Sequence, residues 1–276
     1  MPKDTRPHLS DPVPGRALWP FLGLAFGLAW GIFALFALFP DPVTRWFGAT
    51  GAAHPLFILA VWAPAISAFA LVWRHAGRAG LGRFLARLLL WRMPGPWWAV
   101  LILGVPAVYM AGAAAMGRPL LAPVQSAGAL IAAMAFMAIL GPVEEFGWRG
   151  LMLPLLQRRM APVWAGLVTG VVWGLWHLPA FFLSGTPQSG WDFTPFFAGA
   201  VGASLIVTAM FNASRGSLLV AMLFHYSLNL PPWPDGQPWD MWLFAAAGLF
   251  TVLLCRRRMF ARHGAVTEVV PPASSG

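Results

Sequence analysis

Residues 126–157 read SAGALIAAMAFMAILGPVEEFGWRGLMLPLLQ, an apolar run interrupted by Gly141-Pro142 and by Glu144, Glu145 and Arg149. A bilayer core about 30 Å thick needs roughly 20 apolar residues per helical span. The stretch therefore reads as a membrane span with charge inside it. Pro142 cannot donate to the carbonyl four residues back, so the sequence predicts a bend at Gly141-Pro142. Working outward, comparable apolar stretches lie at 17–39, 55–73, 97–116, 161–183, 195–213, 216–230 and 239–255. With 126–157 they make about eight transmembrane helices, an all-α polytopic fold around a polar intramembrane cavity. The first is too long for a signal-peptide core and reads as an uncleaved anchor.

Composition agrees. Lys+Arg is 18 and Asp+Glu is 9 in 276 residues, so 10% of positions are charged. Soluble domains run near ~25%. Hydrophobic residues make up 59%, and the mean hydropathy is +0.69. An ordinary cytosolic enzyme cannot be surfaced with so few charges, and a disordered chain would be far less apolar. Cys255 is the single cysteine, which excludes an intrachain disulfide and a cysteine-built metal cluster.

The net charge of +9 matters by its placement, and no nucleic-acid partner is expected from it. Eight spans put both termini and alternate connections on one side. That side collects Lys3, Arg6, Arg16, Arg74, Arg78, Arg83, Arg87, Arg92, Arg158, Arg159, Arg215, Arg256, Arg257, Arg258 and Arg262. The opposite side holds Arg45 and Arg118. This bias predicts cytoplasmic termini, in the plasma membrane if the host is bacterial. Arg83 and Arg87 among leucines suggest an amphipathic segment over 78–92 on the inner leaflet. The sequence divides into a tail over 1–15, one transmembrane domain over 16–257, and a second tail over 258–276, both tails expected to be disordered.

Ionisable groups in hydrocarbon cost about 2.5–3.5 kcal/mol each on the insertion scale. The deep ones here are few: Glu144, Glu145, Arg149, His177 and His225, with the amides Asn212 and Asn229. Glu145 and Arg149 stand at i, i+4 with the acid first, the favourable order for an ion pair. Glu144 points about 100° away from Glu145 on a helix, without an ionic partner of its own. Counted from the arginine-rich ends, Glu144, His177 and Asn229 lie roughly 21, 24 and 21 Å along their helices, and His225 roughly 15 Å. One buried site requires such agreement in height.

These residues also carry a resemblance. Glu144-Glu145-Phe146-Gly147-Trp148-Arg149 resembles the EExxxR motif of the CPBP family, the CAAX-protease and bacteriocin-processing (Abi) intramembrane proteases. Trp173-Gly174-Leu175-Trp176-His177 resembles its FxxxH motif with tryptophan for phenylalanine, and His225-Tyr226-Ser227-Leu228-Asn229 resembles its HxxxN motif. The motif core covers about 125–230. The resemblance implies an intramembrane endopeptidase of CAAX-protease type acting on membrane-anchored or prenylated peptide or protein substrates, with lipid as its surroundings. In that reading Glu144 activates a water oriented by His177, and His225 and Asn229 stabilise the oxyanion. Glu145 and Arg149 support the site, and no cofactor is required. Two alternatives remain open at this stage. One is a zinc-dependent protease holding its metal with Glu144, His177 and His225; the other is a proton-coupled transporter relaying protons through those three groups.

Overall fold

The computed structural model describes residues 11–273; the outermost parts of both expected tails, 1–10 and 274–276, lie outside the described residues. Among the described residues the architecture is all-helical. Its apolar helices are α1 (Leu18–Leu38), α2 (Pro55–Val61), α3 (Ala63–Ala86), α4 (Gly95–Ala115) and α5 (Ala127–Leu140). They continue with α6 (Leu153–Gln157), α7 (Pro162–Trp176), α8 (Phe193–Ala213), α9 (Leu218–Leu228) and α10 (Trp239–Leu254).

Five helical stretches are long and apolar enough to cross a membrane: Gly15–Leu38, Gly95–Ala115, Ala127–Gln157, Pro162–Phe182 and Phe193–Ala213. The pair Pro55–Val61 and Ala63–Leu89, bent by 54°, makes a sixth if taken as one span. The protein is thus an integral membrane protein. The last two of the eight expected spans form as helices, but α9 and α10 have only 11 and 16 residues. They are short for a bilayer at about 1.5 Å of rise per residue.

The connections gather at two ends. At the arginine-rich end, Arg87 donates to the carbonyls of Gly150, Gly216 and Val269 at 3.0, 2.9 and 3.1 Å. Arg158 donates to Val13 and Thr267 at 2.7 and 2.9 Å and pairs with Asp11. Gln157, Asn212 and the backbone of Val266 form one hydrogen-bonded cluster there. At the opposite end, Ala122 donates to the Pro232 carbonyl at 3.0 Å and Arg118 pairs with Asp235 at 2.8 Å. Thr50 lies against Gly185.

Two expectations are corrected here. Residues 11–15 and 258–273, read as parts of disordered tails, are anchored to the bundle at particular residues. Asp11 is tied to Arg158 and the Val269 amide, Arg256–Met259 is helical, and Val269 and Val270 are fully buried. The carbonyls of Val266, Thr267, Val269 and Pro271 satisfy side-chain donors of Gln157, Arg158, Arg87 and Arg83. Gln157 and Arg87 are buried, and their donors would otherwise go unpaired; the sequence carries no local signal of that need. The 78–92 segment does turn away from the first half of α3, at Gly77, whose φ of +62° only glycine adopts cheaply. Its Phe84 and Arg87 point into the bundle, however, so Arg87 is a structural clamp.

Arg87→Met keeps the length of the side chain and removes its donors. A charge-assisted hydrogen bond is worth about 1.5–3 kcal/mol, so this variant should melt several degrees lower in detergent. An unchanged melting temperature would contradict the clamp.

Candidate active site

Along 126–157 the chain changes helical type four times. The α-helix ends at Leu140, a tight 3-10 turn covers Pro142–Glu144, and Glu145–Gly147 leads into a wide π-helical turn at Trp148–Met152. The break comes where expected, because Pro142 has no N–H to continue the ladder. Such π-turns are frequent at functional sites. This one leaves both glutamates on the inner side of the bundle, 3% and 1% exposed.

Glu145 Oε1 accepts from Arg149 at 2.9 Å and from His225 Nδ1 at 2.8 Å. One carboxylate thus ties α9 to the broken span. Glu144 turns the other way. Its Oε2 accepts from the indole N–H of Trp148 at 3.1 Å and of Trp173 at 2.8 Å. The sequence predicts Glu144 to lack an ionic partner, and among the described residues it has none; two tryptophans hold it instead. His177, at the C-terminal end of α7, bonds through Nδ1 to the Trp173 carbonyl at 2.8 Å. That carbonyl can only accept, so the Nδ1 proton is fixed and Nε2 is left as the second site on the ring. Gly141 sits against His225 and Asn229: a Cβ there would come within 2.2 Å of Asn229 Nδ2 and 3.1 Å of His225 Nε2.

Glu144, His177, His225 and Asn229 all line one cavity of about 520 Å³. Its wall is largely apolar, with Phe33, Phe57, Tyr109, Trp173, Trp176 and Phe196 among the lining residues. Glu145 and Arg149 lie behind that wall. Arg149 is fully buried, and its guanidinium carbon stands 5.1 Å from the centre of the Trp173 ring, a cation–π arrangement. Among the described residues no group of three His, Cys, Asp or Glu side chains converges as a bound metal would require. The donor set Glu144, His177 and His225 shares the cavity without forming such a cage, so no step is derived through zinc.

Residues 126–231 match the family described as type II CAAX prenyl endopeptidase Rce1-like. The segment is similar to that family over fewer than half of the chain's residues. CAAX prenyl protease 2 of Methanococcus maripaludis is 34% identical over 93 residues, covering 32% of this chain and 34% of that relative. The chain thus matches about a third of the relative's length. The family segment runs from the start of α5 to just past α9, and it contains Glu144, Glu145, Arg149, His177, His225 and Asn229.

Sequence reasoning missed Trp148 and the donor role of Trp173. Trp148 stands at i+4 from Glu144, a spacing that brings side chains together on a helix. Trp173 replaces phenylalanine in the FxxxH motif, and phenylalanine has no N–H to offer. Asn212, a deep amide in the sequence, belongs to the cluster at the arginine-rich end rather than to the cavity.

Glu145→Gln removes the charge that balances Arg149 and loosens His225. Breaking a buried pair costs about 3–5 kcal/mol. This variant should therefore lose more melting temperature than Glu144→Gln, which disturbs two neutral donors. Equal losses would remove the distinction between the glutamates.

Proposed function

We propose that the protein is an intramembrane endopeptidase in which Glu144 activates a water for attack on a peptide bond. The observation that carries this reading is the convergence of Glu144, His177, His225 and Asn229, from three parts of the chain, on one cavity. Each has a defined anchor behind it or a close neighbour in the wall. Both indoles engage Oε2 of Glu144, which leaves Oε1 to take the proton from water. His177 lines the same space and would orient that water through Nε2.

As hydroxide adds to the carbonyl carbon, negative charge grows on the carbonyl oxygen. Asn229 Nδ2–H and His225 Nε2–H would donate to it. His225 already donates through Nδ1 to Glu145, so donating through Nε2 as well takes a ring that carries a proton on both nitrogens. Glu144 then returns its proton to the departing amine nitrogen, and the C–N bond breaks. Protons balance, and the acid and base roles fall to one carboxyl group. The family's name supports a membrane-anchored peptide substrate. The arginine bias supports cytoplasmic termini.

General base catalysis contributes about 100- to 10,000-fold, so Glu144→Gln should lower peptide cleavage by that factor in a protein that still folds. Loss of one oxyanion donor costs about 100- to 1,000-fold, the expectation for His225→Ala and Asn229→Ala. Activity should survive stringent chelation. Stoichiometric zinc whose occupancy falls in His177→Ala and His225→Ala, or full activity in Glu144→Gln, would overturn the mechanism.

A further inference from the structure

The cavity is not placed midway between the two ends of the bundle. His177 follows the last residue of α7, roughly 22 Å from the start of that helix at the arginine-rich end. The loops that complete the cavity wall are the 48–54, 183–191 and 230–238 connections, represented by Ala52, Pro187, Gln188, Trp191, Asp235 and Gln237. All belong to the end opposite the arginines, where Arg118 meets Asp235 and Thr50 meets Gly185. The arginine-rich end is sealed instead. Arg87, Arg158 and Gln157 cross-link the 11–15, 150–158, 212–217 and 262–271 segments beneath the site.

Charge separates the two ends as sharply. Thirteen described arginines lie at the sealed end: 16, 74, 78, 83, 87, 92, 158, 159, 215, 256, 257, 258 and 262. The positive-inside rule assigns that end to the cytoplasm. The charged side chains on the cavity wall are Glu144, Asp235 and Asp240, and among the described residues no arginine reaches it. Asp235 is paired with Arg118, so a free C-terminal carboxylate would face Glu144 and Asp240 with no arginine or lysine among the described wall residues, and the His225 ring is already tied to Glu145. An uncharged or cationic segment would meet apolar walls and a matching sign.

We propose that the cavity is entered from the non-cytoplasmic face, and that it takes an uncharged or cationic segment of a membrane-anchored chain exposed on that face. The idea rests on the hydrolytic reading only in calling that segment a substrate. It places the scissile bond in the juxtamembrane part of an exported chain rather than at the cytoplasmic C-terminus of a lipidated one.

The test uses the full chain in a Cys255→Ala background with single cysteines, Gln188→Cys at the mouth and Arg78→Cys at the sealed end. Ser189→Cys on the same loop replaces Gln188→Cys if that variant does not accumulate. A membrane-impermeant maleimide is applied to intact cells and to inverted vesicles. The mouth cysteine should label in intact cells, and the Arg78→Cys position in inverted vesicles alone. Co-expressed reporters carry one cleavable segment on either the outer or the inner side of their anchor, and the outer one alone should be cut. Mouth labelling confined to inverted vesicles, both positions labelling from one face, or cleavage of the inner reporter would overturn the proposal. Labelling needs no catalysis. The expected labelling with neither reporter cut would therefore support the entry face and count against the hydrolytic reading.

Discussion

One buried oxygen holds the site together. Glu145 Oε1 receives Arg149 from its own segment and His225 from α9, at 2.9 and 2.8 Å. Charges taken out of water cost several kcal/mol each unless well paired, so these three groups must meet or the fold suffers. Their meeting fixes the imidazole that faces the cavity. Arg149 also lies over the Trp173 ring, and the same indole donates to Glu144. The supporting ion pair and the proposed base therefore share one side chain, and a change in either is felt by the other.

The broken fourth apolar stretch is what makes room for this arrangement. A regular helix through 126–157 would crowd Gly141, Glu144, Glu145 and Trp148, at i, i+3, i+4 and i+7, onto one face about 100° wide. Pro142 stops the ladder, the 3-10 turn tightens it, and the π-turn widens it again. The glutamates end up back to back, one toward the cavity and one toward Arg149. Gly141 lets Asn229 and His225 approach the break to a distance that no side chain would allow.

Much of this was legible because the membrane makes polar residues scarce. With so few ionisable groups among apolar ones, spacing alone paired Glu145 with Arg149, and helical rise brought Glu144, His177 and Asn229 to one height. The bend at Pro142 follows from its missing donor. What could not be read were interactions without a local pattern. The indole of Trp173 reaches Glu144 across 29 positions of sequence. The Arg87 clamp joins residues as far as 182 positions apart. The anchored 264–271 segment carries no helical or strand periodicity, since its role is to offer carbonyls to buried donors. Span counting also has a physical limit: α9 and α10 are apolar, but their lengths are set by packing against neighbours and not by the bilayer alone.

The most direct test of the central claim, direct attack by a cavity water, is isotopic. Purified protein in lipid would cleave a membrane-anchored peptide in a single turnover in water enriched in oxygen-18. The account predicts one heavy oxygen in the new carboxylate from the first turnover, with no added mass on the protein. A first-turnover product carrying only ordinary oxygen, or a peptidyl adduct on the protein, would contradict it.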